Sequence, residues 1–172
     1  MRTLSLRSWP VFLALMAGTA QAQENEVTVN GRITDGERRL EGCEVITYLA
    51  NEPQGKVLTD KSGKFEVHLK LDGEYALELR KDGFVSKRIV VDTRTPEDPA
   101  ELILAPLTMD VSLLPVERYQ GANTDELDFP FAIVRYSRDQ HAFVQDMDYT
   151  MGMQRTNGAL LLMAARAEKR GK

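Results

Sequence analysis

The chain has 172 residues, 28 % of them charged, and a formal net charge of −4 at neutral pH. That length suits one domain with an extension. The acidic balance argues against nucleic acid or anionic lipid as the main partner, and a single cysteine excludes an internal disulfide.

Residues 1–22 read as an export signal. Arg2 and Arg7 give a positive start, residues 10–18 (PVFLALMAG) a short apolar core, and Ala20-Gln21-Ala22 a small-x-small cleavage site. The apolar run is far shorter than the roughly 20 residues a membrane span needs. The mature chain is expected to start at Gln23 and to lack both arginines. No later segment is apolar enough to span, and Cys43 lies too far along to carry a lipoprotein anchor.

Residues 27–34 (VTVNGRIT) alternate apolar and polar, which predicts a half-buried strand closed by the turn Asp35-Gly36. Cys43 opens the next strand as a small core side chain, and residues 44–50 (EVITYLA) continue it. Residues 51–55 (NEPQG) read as a loop, and residues 56–59 as a short extended piece. Phe65, Val67, Leu69 and Leu71 share one face of a strand, and Asp72-Gly73 signals a hairpin into Tyr75, Leu77 and Leu79. Asp82-Gly83 turns the chain into a strand at 85–91. After a polar, proline-containing loop, Leu107, Met109, Val111 and Leu113 alternate until Pro115. About seven short strands separated by turn signals is the pattern of an antiparallel sandwich.

The character changes after Pro115. Residues 117–128 read as a polar linker, 131–136 (FAIVRY) as a short strand, and Phe143-Val144 as an added apolar pair. From Asp146 the period becomes helical, with Tyr149, Met153, Thr156, Leu160, Met163 and Ala167 on one stripe. Asp146 and Asp148 suit the start of that helix; Arg166, Lys169 and Arg170 suit its end.

Several motifs now coincide: Gly31-Arg32-Ile33-Thr34-Asp35, then Leu40-Glu41-Gly42-Cys43-Glu44-Val45, then Thr59-Asp60-Lys61-Ser62-Gly63-Lys64-Phe65, then Gly73-Glu74-Tyr75 and Lys81-Asp82-Gly83-Phe84. Together they resemble the carboxypeptidase regulatory-like domain, a transthyretin-like (prealbumin-like) β-sandwich, over about residues 25–115. The resemblance implies a small accessory module found beside many different partners. With the export signal, it implies an envelope protein of a Gram-negative, Bacteroidota-type bacterium, in the periplasm, associated with the outer membrane, or secreted. The expected organisation is a signal peptide (1–22), a seven-stranded antiparallel sandwich (23–115), and a linker, short strand and amphipathic helix (116–172).

A calcium loop starting at Asp60 would place Ser62 and then Lys64 at ligand positions, and an ammonium cannot ligate calcium. A turn explains Asp60, Ser62 and Gly63 without a metal. His68, His141 and Cys43 lack zinc-ligand spacing, and no nucleophile elbow, P-loop or dinucleotide fingerprint is present. The transthyretin-like hydroxyisourate hydrolases end in Tyr-Arg-Gly-Ser, whereas this chain ends Lys169-Arg170-Gly171-Lys172. No enzyme activity, metal or cofactor is therefore expected. Sugar binding would need an exposed aromatic platform, for which Tyr48, Tyr119 and Tyr136 are available. The methionine-rich extension is the better candidate for function. It nominates Phe129, Phe131, Tyr149, Met153, Leu160 and Met163 as a contact set, whether the surface that receives them is the chain's own sandwich, with the helix finishing the fold, or another envelope protein or a second copy of the chain.

Overall fold

A computed structural model describes residues 25–96 and 102–170. The predicted export signal lies outside them. The chain is mainly β, with two sheets and one long C-terminal helix. Among the described residues nine strands form, where a seven-stranded sandwich and one further short strand were expected: β1 (Glu26–Thr34), β2 (Glu44–Leu49), β3 (Glu52–Leu58), β4 (Lys64–Lys70), β5 (Glu74–Arg80), β6 (Lys87–Asp92), β7 (Leu107–Ser112), β8 (Ala132–Ser137) and β9 (Ala142–Gln145). The helix α1 spans Met147–Arg170. Short 3₁₀ turns at Val116–Tyr119 and Asp125–Asp128 occupy the segment read as a linker.

One sheet has the order β4-β1-β7 and the other β3-β2-β5-β6-β8-β9. The sheets are not wholly antiparallel, which corrects the expectation. β1 and β7 run parallel, and so do β6 and β8. Parallel neighbours must be joined by a long connection, and both pairs here are.

Alternation sets the core. Val27, Val29 and Ile33 of β1, Phe65, Val67 and Leu69 of β4, Leu77 and Leu79 of β5 and Ile89 and Val91 of β6 point inward and are buried together. Cys43 joins them, fully buried as a free thiol. Burial pushes the Cys43 thiol pKa up, despite the Thr59 hydroxyl nearby. Gly31 interrupts the inward series for a steric reason. The Phe65 ring on β4 lies across it, and a Cβ there would come within 2.2 Å of that ring.

Three local readings change. The supposed loop at 51–55 is mostly strand: the turn is confined to Ala50 and Asn51, both at positive φ, and β3 begins at Glu52. β3 is an edge strand, exposed almost throughout, with a bulge opposite Thr47 and Tyr48. The strand read at 85–91 begins only at Lys87. Asp72-Gly73 does not make a hairpin, because β4 and β5 belong to different sheets. Thr93 holds that crossover. Its backbone N–H donates to the Gly73 carbonyl (2.8 Å), and its buried hydroxyl accepts from the Gly73 N–H (3.0 Å). A local turn signal cannot reveal which sheet the next strand joins when a residue 20 positions away sets the path.

Candidate functional site

The extension is tied into the six-stranded sheet. β8 pairs with β6 through Ile89 and Ala132, Val90 and Ile133, and Val91 and Val134, and β9 closes back on β8. Ala132, Val134 and Phe143 are buried in the sandwich core, with Tyr136 packed edge-on against Phe143.

The helix starts where its sequence demands. The Asp146 carboxylate accepts the Tyr149 N–H at 3.0 Å and also pairs with Arg135. It thereby satisfies one of the free donors at the helix start. The Tyr149 N–H is the main cause that lowers the Asp146 pKa, with Arg135 adding to it. The Tyr149 hydroxyl donates to the Pro130 carbonyl (2.8 Å), and the buried Tyr119 hydroxyl donates to Asn157 Oδ1 (2.6 Å). These bonds fix the helix against the segment carrying Phe129 and Phe131.

Phe129, Phe131 and Met153 meet there. With Tyr119, Leu127 and Lys87 they line a notch of about 10 Å³, room for one water at most, so it is no ligand pocket. Tyr149 does not line it; its hydroxyl is held on Pro130, between Phe129 and Phe131 in sequence. Leu160 is buried farther along α1, while Phe129 and Met163 are 63 % and 57 % exposed. Three of the six nominated residues thus meet at one point, Tyr149 bonds the backbone between two of them, Leu160 is buried elsewhere, and Met163 faces solvent. The buried stripe of α1 is Thr150, Leu160 and Ala164, with Met153 half-buried between them. It shares Leu160 with the nominated stripe but is rotated from it by about 60°.

Lys87 was not nominated. Its ammonium sits over the Phe131 ring, 3.8 Å from the centroid, with no carboxylate pairing it among the described salt bridges. Burial pushes its pKa down to about 8. The parity of β6 carries the signal: Lys87 shares the inward face with Ile89 and Val91. A charged amine held below its ordinary value costs stability below pH 8, and that cost disappears as pH rises from about 8 to 10.5. The ring face offsets part of the desolvation. Lys87→Met is therefore expected to raise stability at pH 7 by about 2 kcal/mol. Its advantage over the parent should shrink between pH 8 and 10.5. Urea titrations at pH 7 and pH 10 check this, and an equal gap at both would refute the buried-amine account.

The Asp60 loop is a turn in its bonding. One carboxylate oxygen of Asp60 accepts the N–H groups of Ser62 (2.7 Å) and Lys64 (2.9 Å) and the Ser62 hydroxyl (2.7 Å). The Lys64 N–H leads the causes that lower the Asp60 pKa. Among the described residues no group of three or more His, Cys, Asp or Glu is placed to hold a metal. His68 is exposed on β4, with Nε2 3.2 Å from Glu66, and His141 occupies the β8–β9 turn at positive φ.

Of the proposed sugar platforms, Tyr119 is buried and Tyr136 packs on Phe143. Tyr48 remains. Its hydroxyl donates to Glu78 (3.0 Å), and it borders an open cleft of about 540 Å³ with Asn51, Arg88 and Arg94. A second open cleft, of about 600 Å³, includes Asn30, Arg32, Lys64, Glu66 and Asp110. Arg32 Nε there is buried without a hydrogen-bond partner among the described residues.

The fold and these surfaces define a two-sheet β protein with a helix fixed across one end of its sheet. No protein-family profile matches the chain, and no curated protein does. The regulatory-like resemblance therefore rests on its motifs alone. Partial likeness exists among solved structures. A DUF3823 family protein from Parabacteroides merdae is 18 % identical over 64 % of this chain and 49 % of its own, with a TM-score of 0.33. The 5-hydroxyisourate hydrolase of Klebsiella pneumoniae is 16 % identical over 51 % of this chain and 90 % of its own, at 0.35. The 3-chlorocatechol 1,2-dioxygenase of Rhodococcus opacus is 12 % identical over 53 % of this chain and 60 % of its own, at 0.41. The chain thus spans less than two thirds of the dioxygenase and of the DUF3823 protein. No residue role passes from these proteins to this one.

Proposed function

We propose that this protein is a non-enzymatic, exported accessory module, a transthyretin-like sandwich that acts through protein–protein contacts in the envelope of a Gram-negative bacterium. The export reading rests on the charged start, apolar core and small-x-small site of residues 1–22. The contact reading rests on the outer surface of the extension. Met147, Met151, Leu162 and Met163 of α1 are 39–62 % exposed, and Phe129 is 63 % exposed nearby. Large apolar side chains gathered on one helix mark a docking surface, and methionine adapts to the surface it meets. No helix among the described residues is long and apolar enough to cross a membrane, so a lipid-embedded role for α1 is not invoked.

The test is photo-crosslinking in the native envelope, with the reactive residue placed at 129, at 162, or at 70 on exposed β4 as a control. Adducts of one discrete mass at 129 or 162 and none at 70 are expected. Absence of adducts at 129 and 162 would overturn the contact reading. Glycan binding is the alternative, and its place is the Tyr48 cleft. It predicts retention on polysaccharide that Tyr48→Ala abolishes and helix substitutions leave intact.

A further inference from the structure

We infer that the partner of this helix face is a second copy of the chain, packed antiparallel along α1 with the two copies crossing at Gly158. This rests on the protein-contact reading and names its occupant.

Three observations carry it. At 3.6 residues per turn, Met147, Met151, Gly158, Leu162 and Ala165 fall within about 60° of one another, away from the face that packs on the chain's own sheet. Met147, Met151, Leu162 and Ala165 of this set are exposed. Spacings of three, four and seven are those of a helix–helix seam.

The second observation is Gly158 itself. Glycine inside a helix costs stability relative to alanine, so its own chain should give it a reason. It gives none: a Cβ there would meet nothing within 4 Å. A second helix crossing at that point supplies the reason, since small residues let two helix backbones approach closely. Gly152 has equally free surroundings but lies off this seam.

The third is charge. The helix carries Asp148 in its first turn and Lys169 and Arg170 in its last, with Arg166 just before. All four side chains are exposed. An antiparallel pair sets each acidic start against the other copy's basic end and opposes the two helix dipoles, whereas a parallel pair stacks like charges. A two-fold arrangement also closes, so it gives a dimer and not a filament. With Gly158 on the axis, Met151 of one copy faces Ala165 of the other. A helix of 24 residues is about 36 Å long. Pairing along that length buries on the order of 1,000 Å², the lower end for a specific interface, so a micromolar dimer is expected.

Sedimentation equilibrium of the mature chain over 5–200 µM should show a monomer–dimer equilibrium. Leu162→Glu should move it to monomer without changing the melting temperature, because Leu162 packs on nothing in its own chain's core. Asp148→Lys should weaken association at least tenfold, and the added change Lys169→Glu should restore part of it. Gly158→Cys should form a disulfide-linked dimer under mild oxidation, with Cys43 buried and silent. A monomer at 200 µM overturns the inference, as does a dimer indifferent to Leu162→Glu. The envelope crosslinks separate the two readings. Adducts from residue 162 at twice the chain's mass support both, adducts of another mass there keep the contact reading and overturn self-pairing, and absence of adducts at 129 and 162 removes both.

Discussion

Ending the chain at Pro115 is expected to leave a polypeptide without a cooperative unfolding transition. The six-stranded sheet continues past that residue. β8 lies alongside β6, and the Phe131 N–H donates to the Arg88 carbonyl at 2.7 Å. The cut removes Val134 and Phe143 from the core, with Ala132 and half-buried Phe131 and Tyr136 beside them. Burial of one large apolar side chain stabilises by roughly 1.5–3 kcal/mol. The group together approaches about 6–10 kcal/mol on that scale, an upper figure that a compact unfolded chain lowers by roughly 10–40 %. A whole domain has about 5–15 kcal/mol. Bare edge hydrogen-bonding groups on β6 would add to the loss. A urea titration followed by far-UV circular dichroism decides the matter. A sharp transition near that of the full chain would show that the first seven strands fold alone.

The second large effect is expected at one glycine. Gly63 sits at φ +72°, and a Cβ there would lie 2.4 Å from the Ile33 carbonyl oxygen. Its own carbonyl accepts the Ile33 N–H at 2.7 Å. Gly63→Ala thus meets left-handed strain of about 1–2 kcal/mol and a clash with backbone that no rotamer relieves. The total should reach about 4 kcal/mol. Gly83 provides the comparison, with φ +80° but nothing within 4 Å of its Cβ position. Gly83→Ala should cost only the strain, about 1–2 kcal/mol. Equal losses in the two variants would show that the Ile33 contact yields.

Much of the sandwich was legible because its strands have one wet face. β1, β4 and β5 alternate cleanly in sequence and in burial. β3 was hidden by the same rule. An edge strand with both faces exposed has no apolar alternation, and Pro53 and Gly55 read as loop. Parallel pairing of β6 with β8 was hidden because pairing partners are chosen by the tertiary fold and not by local pattern. In α1 the helix itself was plain, but its buried face was not. Residues 160–163 (LLLM) are apolar all round, so periodicity could not choose between Met163 and Ala164, and the structure buries Ala164. Of the contact set, Phe129, Phe131 and Met153 gather because the chain between β7 and β8 folds back over β6, a path with no sequence signature. Lys87 was missed by the habit of placing lysine outside, although its parity on β6 pointed inward.

The parallel pairing of β1 with β7 bears on how quickly the chain can fold. β1 is the middle strand of its sheet, and its contacts to β7 reach across a sequence separation of 78 residues. Closing so long a loop costs entropy before any contact is made. Topologies dominated by such contacts refold in roughly milliseconds to seconds, far slower than helical bundles of equal size. A chain emerging from its N-terminus can pair β1 with β4 early, but leaves the other edge of β1 vacant until Ser112 is free.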